Sequence, residues 1–267
     1  MSKKNIAILG GGNLGVAIAK GLTKSDLSRQ YDVTVTRRNT KALDTLKEIG
    51  VKVQSNNKEA VEKADLIILA VQPKQLDTLL GDIKSAIDHK KHTVISVITG
   101  ITIADIATVL GMQVKVIRAM PNTAIAIGQS MTCIASANAS PDAIEEVKTI
   151  FEAMGRAMII DEKLMQAATV LGACGIAFFL RFIRAASQGG TEVGFHAEEA
   201  QLIASQTALG AASLLLETNQ HPEEAIDKVT TPQGCTIAGL NEMEHHGLSS
   251  ALIKGIVASY KKIDKIT

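Results

Sequence analysis

Tryptophan is absent from this chain of 267 residues, and aromatic residues make up only 3% of it, as two tyrosines and five phenylalanines. Such a chain has few side chains on which the bases of single-stranded nucleic acid could stack. Net charge is also nearly absent, because 28 Lys and Arg face 27 Asp and Glu. The resulting formal charge of +1 argues against nucleic-acid binding through bulk electrostatics. A ligand must therefore be held mainly by backbone groups, hydroxyls and small side chains.

Cysteine is scarce as well. Cys133, Cys174 and Cys235 lie far apart and form no CxxC pair, which argues against a disulfide framework or a zinc ribbon. The apolar run at the amino terminus is too short for the core of a secretory signal. The longest uncharged stretch, residues 164–180, is about 17 residues long, at the low edge of the membrane-spanning range, and is predicted to be a buried core helix. A cytoplasmic location is expected.

Histidines offer little chemistry. His245 and His246 are adjacent, so they cannot both face one side of a helix, and no metal site is expected from them. His89 and His92 lie in a Lys-rich polar connection and are predicted to be exposed.

The first 160 residues alternate short apolar runs with helical patterns. This alternation predicts βαβ units and an α/β fold, with a doubly wound, mostly parallel sheet of the Rossmann type. Right-handed crossovers restrict its topology. The predicted strands are residues 6–9, 33–35, 66–71, 93–97, 114–117 and 157–160.

The strand signal stops near Asp161, and residues 161–267 are predicted to form an all-α carboxyl-terminal domain. Capping residues and prolines mark the predicted helix starts. A first long helix should run from Glu162 to about Ser187, ahead of Gly189-Gly190. The later helices are expected at residues 197–216 and from Pro222, Pro232 and Ser249 or Ser250 onward.

The sequence Gly10-Gly11-Gly12-Asn13-Leu14-Gly15 fits the pattern G-x-G-x-x-G, between a predicted strand and a predicted helix. In this pattern Gly10 makes the tight turn, Gly12 lets a pyrophosphate approach the backbone, and Gly15 lets the helix pack on the strand. The helix amino terminus, at Asn13 and Leu14, would then face the anion. The sequence predicts a dinucleotide site here.

The end of the second strand carries Arg37 and Arg38 where NAD-type folds place a carboxylate for the ribose. Guanidinium groups suit a 2′-phosphate, because arginine pairs bidentately with phosphate oxygens. NADPH is therefore the expected cofactor, although two solvated loop arginines would give the same pattern.

Three further strand ends are expected to surround the nicotinamide, because ligands of open α/β sheets lie over the carboxyl ends of the strands. These strand ends contain Ala70-Val71-Gln72-Pro73, Gly100 and Met120-Pro121-Asn122.

A second signal lies in the helical part, at Val229-Thr230-Thr231-Pro232-Gln233-Gly234-Cys235-Thr236. Thr230 or Thr231 could cap a helix that starts at Pro232. The amides of Gly234, Cys235 and Thr236 would then be free to bind a small carboxylate, and the Thr236 hydroxyl could contact the same ligand. A surface helix cap without a ligand remains the alternative for this segment.

These motifs together resemble the pyrroline-5-carboxylate reductase family over nearly the full length, above all through residues 229–240. The resemblance implies reduction of 1-pyrroline-5-carboxylate to L-proline with NADPH or NADH. It implies that Thr236 contacts the substrate near the imine nitrogen, that the amides of residues 234–236 bind its carboxylate, and that Asn57 and Arg37 lie near the adenosine. Met120, Val229 and Thr231 would line the substrate pocket. Homodimers through the helical domain, and larger ring-like assemblies, are implied as well.

The chain departs from that family at Gly172-Ala173-Cys174-Gly175-Ile176-Ala177-Phe178, where members usually carry a run of the type Gly-Ser-Gly-Pro-Ala-Tyr. Gln233 similarly replaces the first glycine of a usual pair, and Gln72 a usual lysine. Two alternatives therefore stay open. One is a related two-domain dehydrogenase or imine reductase acting on another small carboxylate, and the other is a non-catalytic NADP-binding protein.

Overall fold

A computed structural model describes residues 3–263. Strands and helices alternate up to residue 159, and helices follow. The strands are β1 Lys4–Leu9, β2 Tyr31–Thr36, β3 Lys52–Gln54, β4 Leu66–Leu69, β5 Thr93–Ser96, β6 Lys115–Met120, β7 Ser130–Ser136 and β8 Gly155–Ile159. The helices are α1 Asn13–Lys24, α2 Asp44–Lys47, α3 Asn57–Lys63, α4 Leu76–Ile83, α5 Ile103–Leu110, α6 Pro141–Glu152, α7 Met165–Ala168, α8 Gly175–Glu192, α9 Ala197–Thr218, α10 Pro222–Val229, α11 Cys235–His245 and α12 Leu248–Ile263.

The eight strands form one sheet in the order β3-β2-β1-β4-β5-β6-β7-β8. All neighbouring strands are parallel except β6 and β7, which confirms the predicted mostly parallel, doubly wound sheet. The sequence patterns missed β3 and β7. The first is only three residues long at the sheet edge, and the second mixes small and polar residues instead of forming a continuous apolar run.

Both faces of the sheet are covered by helices. Along β1, Ile6 and Ile8 face one apolar cluster with α1 and α6, while Ala7 and Leu9 face a second cluster with α3, α4 and α5. Successive side chains of a strand point to opposite faces, so a strand covered on both sides must be apolar throughout. This requirement explains the unbroken apolar runs in the sequence.

Two compact units emerge from the packing. The first extends up to Cys174 and takes in the described residues from Ser259 onward, and the second is Gly175–Ala258. The division comes after Asp161, where the strands end, because the first turns of the helical segment pack on the sheet: Met165 and Val170 are buried. An ion pair of 3.2 Å between Arg118 Nη1 in β6 and Glu162 Oε1 adds to this attachment.

The helical unit differs in three respects from the sequence expectation. Helix α8 continues through Gly189-Gly190 to Glu192, and α9 packs against it closely enough that a Cβ on Gly190 would lie 3.1 Å from the Ala200 Cβ. Helix α11 begins at Cys235 rather than at Pro232. Helix α12 begins at Leu248, one or two residues before the predicted start at Ser249 or Ser250.

The expected burial of the long apolar helix is wrong for the single chain. Among the described residues, Glu162–Glu192 is long and apolar enough to cross a membrane, although core helices of soluble proteins meet the same criterion. Only 17% of its most apolar stretch is buried. Phe179, Leu180 and Phe182 are exposed, so this apolar face lies outside the core of the chain.

His92 also departs from the expectation of exposure, since 1% of it is accessible. Its Nδ1 accepts a hydrogen bond of 3.0 Å from the Asp88 amide, which requires an unprotonated Nδ1. Burial, followed by the nearby charge of Lys91, lowers the pKa of His92 below its usual range. The folded chain therefore holds this imidazole neutral.

This burial predicts an acid-sensitive contribution to folding. The unfolded histidine binds a proton below a pKa of about 6.5 while the folded one does not, so the free energy of unfolding should fall as the pH decreases through that value. His92→Asn keeps an acceptor for the Asp88 amide and should flatten the dependence between pH 7.5 and 5.5. Urea unfolding at several pH values measures it. The matched control is His89→Asn at an exposed position, and an equal flattening by that control would contradict the assignment.

Candidate active site

The turn from β1 into α1 is built from glycines because the backbone leaves no room for side chains. Gly10 has a φ of 119°, and a Cβ there would lie 2.4 Å from the Ala70 carbonyl oxygen. A Cβ on Gly15 would lie 2.0 Å from the Gly10 carbonyl oxygen. The turn is held to β2 by the amides of Gly10 and Gly11, which both donate to the Thr36 carbonyl, at 3.2 and 2.8 Å.

Gly12 is in a different situation, because the space in front of it is open. No atom lies within 4 Å of a Cβ built at Gly12, which is the N-cap of α1. No side chain caps this helix, so the amides of its first turn, starting at Asn13 and Leu14, are free for an anion. The cradle thus fits the pyrophosphate of a dinucleotide.

The end of β2 lies beside this cradle. The Arg37 guanidinium donates from Nη1 to the Gly11 carbonyl at 2.7 Å, which holds the side chain against the glycine turn. Arg38 is exposed, and no carboxylate within residues 3–263 pairs with it. Asn57 at the start of α3 accepts from the Thr36 hydroxyl at 2.6 Å and donates to Asp82 at 3.0 Å. A phosphate could therefore meet one fixed and one free guanidinium here.

The other predicted cofactor segments follow β4, β5 and β6, whose parallel strands end at the same edge of the sheet as β1. Ala70-Val71-Gln72-Pro73 leads into a short turn in which the Gln75 side chain accepts from the Gln72 amide at 3.2 Å. Gly100 has a φ of 81° in the loop after β5. The structure thus brings these segments to one edge, where their contacts with a cofactor remain a prediction.

Met120 and Asn122, after β6, are both buried in the single chain. Met120 is 3% exposed and packs with Ala135 and Met165. The Asn122 side chain makes two protein contacts, accepting from the Ala124 amide at 3.0 Å and donating to the Gly172 carbonyl at 3.1 Å. Substrate contact by Met120 and cofactor contact by Asn122 remain predictions.

In the helical unit, the expected cap is replaced by a turn. The Gly234 amide donates to the Thr231 carbonyl at 2.9 Å, and Gln233 has a φ of 60°. Pro232 fits the second position of such a turn as well as it fits the first position of a helix, which explains the wrong helix start. Thr230 instead bonds back to the Ile226 and Asp227 carbonyls at the end of α10.

Gly234 is the N-cap of α11. Contrary to expectation its amide is not free, because it donates to the Thr231 carbonyl. The free first-turn amides are those of Cys235, Thr236 and Ile237. Cys235 and Thr236 are exposed, and Val229 is 62% exposed. A helix end with an accessible hydroxyl can bind a small carboxylate and orient a neighbouring polar atom.

Sequence reasoning missed several groups that support the site. The Thr36 carbonyl anchors the glycine turn, and the Thr36 hydroxyl donates to Asn57. The Ser130 hydroxyl accepts from the Asn122 amide at 3.1 Å. None of these residues has a motif of its own, because each acts through tertiary hydrogen bonds. The described residues contain no group of three or more His, Cys, Asp or Glu arranged to hold a metal ion.

The Rossmann sheet, its open glycine cradle and the helices that follow define a dinucleotide-dependent oxidoreductase. A family model described as NADP oxidoreductase, coenzyme F420-dependent, matches residues 5–100. A second model, described as pyrroline-5-carboxylate reductase dimerisation, matches residues 162–266.

Relatives extend this match to nearly the whole chain. Pyrroline-5-carboxylate reductase 2 of Dictyostelium discoideum is 47% identical over 99% of this chain and 93% of its own length. The chain therefore belongs to the pyrroline-5-carboxylate reductase family. Pyrroline-5-carboxylate reductase 1 of the same organism is 51% identical over 96% of this chain, which spans about half of that protein, 49% of its length.

Solved structures of the family have the same fold. A pyrroline-5-carboxylate reductase from Coxiella burnetii matches with a TM-score of 0.88 at 28% identity, over 100% of this chain and 99% of the other. The Plasmodium falciparum pyrroline carboxylate reductase with NADP bound matches with a TM-score of 0.88 at 24% identity, over 100% and 99%.

The glycine geometry separates two substitutions in one motif. Gly12→Ala should fold normally, because its methyl group meets no protein atom, but should weaken dinucleotide binding about tenfold or more by blocking the pyrophosphate. Gly15→Ala should lower the melting temperature, because its methyl group collides with the Gly10 carbonyl. Fluorescence titration with NADPH and thermal unfolding measure the two effects. Equal loss of stability in both variants would contradict the open cradle.

Proposed function

We propose that this protein reduces 1-pyrroline-5-carboxylate to L-proline with NADPH, the last step of proline biosynthesis. The observation that carries the proposal is the 47% identity with a pyrroline-5-carboxylate reductase over nearly the full length of both chains. The open cradle at Gly12 and the accessible helix start at Thr236 supply the two kinds of site that the reaction needs.

The cofactor is NADP, with NADPH preferred and NADH also accepted. Its pyrophosphate would lie at Gly12 against the start of α1, and its 2′-phosphate at Arg38 beside the fixed guanidinium of Arg37. Asn57, held by Thr36 and Asp82, would border the adenosine. When bound, the reduced nicotinamide supplies the hydride.

The chain's own contribution is binding and orientation. The amides of Cys235 and Thr236 would hold the substrate carboxylate, and the Thr236 hydroxyl would hydrogen-bond near the imine nitrogen. A protonated imine is already electrophilic, so no strong general acid is required of the protein. Orientation of this kind can account for a large part of the barrier lowering. Gly234 and Thr231 shape the turn before α11, and Val229 and Met120 would complete the pocket.

A homodimer through the helical domain would cover the apolar face that the single chain leaves open. Exposed apolar side chains of this domain include Phe179, Leu202 and Leu209, at 62%, 70% and 56% exposure. Exposed apolar surface on this scale is typical of an interaction face, and the matched dimerisation model covers the same region. By similarity to the family, we also expect dimers to assemble into larger ring-like oligomers.

The functional division of the chain would then follow the change in secondary structure. Residues 1–160 form the dinucleotide-binding domain, and residues 161–267 the domain for substrate binding and dimerisation. The dimerisation model, which begins at residue 162, supports this division. We place the protein in the cytoplasm, where NADPH is available for biosynthesis.

The reaction is tested by adding 1-pyrroline-5-carboxylate to the protein with NADPH and following the absorbance at 340 nm (the standard NADPH wavelength). The wild-type chain should oxidise NADPH, and Thr236→Ala should lower kcat about tenfold, on the scale of one lost hydrogen bond, with an unchanged Kd for NADPH. Thr236→Ser keeps the hydroxyl and should retain most of the turnover. An inactive wild-type chain that still binds NADPH would support a non-catalytic role instead, and a fully active alanine variant would remove Thr236 from the site.

Arg38 should determine the preference for NADPH over NADH. Arg38→Ala should raise the Kd for NADPH about tenfold or more while changing that for NADH little, because only NADPH carries the 2′-phosphate. The matched control is Arg156→Ala, at an exposed position on β8. Titration of each variant with both cofactors measures the ratio. An equal loss of affinity for the two cofactors would mean that Arg38 does not contact the 2′-phosphate.

A further inference from the structure

The helix that leads from the sheet into the helical unit contains a π-helical turn. This turn, Thr169–Cys174, joins α7 to α8 and ends at the boundary between the two compact units. π-helical turns are rare, and they occur frequently at functional sites. A cause for the turn should therefore be identifiable among its contacts.

Two side chains insert into the hydrogen-bond ladder of this helix. The Thr169 hydroxyl donates to the Met165 carbonyl, four residues earlier, at 2.8 Å. Near the other end of the turn, Asn122 Nδ2 donates to the Gly172 carbonyl at 3.1 Å. Side-chain donors at helix carbonyls bend helices and disturb the regular i to i−4 pattern.

Asn122 is held firmly enough to act as an external support for the turn. It is 8% exposed, and its own amide donates to the Ser130 hydroxyl at 3.1 Å. Its Oδ1 accepts from the Ala124 amide at 3.0 Å, which caps a short 3₁₀ turn. The same side chain thus joins the loop after β6 to the carbonyl of Gly172.

The backbone itself does not forbid a regular α-helix here. In an α-helix, the Gly172 carbonyl would accept from the amide of Ile176. A proline at position 176 would remove that donor and impose a bend. Ile176 keeps the amide, so the turn is not imposed by proline in this chain.

We infer that Asn122 is a positioning residue: its side-chain amide, bonded to the Gly172 carbonyl, holds the π-helical turn through which the chain passes to the helices that carry Thr236. The inference rests on the proposed reduction of 1-pyrroline-5-carboxylate. Turnover is sensitive to such support, since a displacement of about 1 Å far from the chemistry can lower a rate about a hundredfold.

The test is Asn122→Asp in the full-length protein. The carboxylate keeps the acceptor for the Ala124 amide but loses the donor and repels the Gly172 carbonyl. At pH 8, kcat relative to wild type should fall about tenfold or more. As the pH falls toward 5.5, the relative kcat should recover, because a buried carboxyl protonates above its usual range and its O–H can donate to the carbonyl.

Two further variants make the test specific. Ser130→Ala disturbs the same loop through the Asn122 amide but leaves Nδ2 in place, so any loss of kcat that it causes should not recover at low pH. Ile176→Pro in the Asn122→Asp background prevents the competing α-helical bond and should restore most of the lost kcat at pH 8. Hydrogen exchange of the segment 169–177 measures the turn directly, and faster exchange in Asn122→Asp should slow at low pH.

The outcomes separate this inference from the proposed function. A loss of kcat that does not change with pH, or a recovery of kcat at low pH that Ser130→Ala reproduces, would overturn the positioning role. If the wild-type chain does not reduce 1-pyrroline-5-carboxylate, the proposed function fails, but the exchange measurement still decides whether Asn122 holds the turn. If Asn122→Asp does not fold, the variant that combines it with Ile176→Pro decides the question. Hydrogen exchange of segment 169–177 like that of wild type supports the role, and an unfolded or rapidly exchanging segment overturns it.

Discussion

The close approach of α1 to the end of β1 is the constraint on which the rest of the cofactor site depends. The Gly10 carbonyl lies where a Cβ of Gly15 would be, so the helix begins directly over the strand end. Its first free amides therefore face the open space at Gly12. Because Gly10 and Gly11 also bond to Thr36, β2 is fixed to the same turn, and Arg37 after it lies against the cradle.

Helix α11, which we propose binds the substrate, uses a similar device with different residues. A turn closed by the Gly234 amide positions the start of α11, and Gln233 occupies a left-handed conformation that costs about 1 kcal/mol for a residue other than glycine. Strained backbone of this kind is concentrated at functional sites, where the surrounding structure enforces it. Both proposed anion sites are thus helix starts set by a preceding turn, and neither needs an aromatic side chain.

Sequence reasoning succeeded where a requirement is local. The glycine turn and the apolar strands buried on both faces each follow from constraints within a few residues, and the fold class was predicted from them. The family was predicted from a resemblance of several motifs, above all residues 229–240. Sequence reasoning failed at β3 and β7, which lack a local apolar signal, and at His92, whose polar surroundings in sequence do not reveal its burial. The start of α11 was misplaced because proline fits a turn and a helix start equally well.

The sequence by itself determined the alternation of strands and helices, the glycine turn and the chemistry of the side chains available to a ligand. Tertiary structure decided which of those groups are free. The folded chain engages the Gly234 amide in a turn with the Thr231 carbonyl and buries Met120. It also pairs both the donor and the acceptor of the Asn122 side chain with protein groups. The reason is that hydrogen-bond partners distant in sequence, such as Asn122 and Gly172, meet only when the chain has folded, whereas steric limits on glycine and proline act within a single turn.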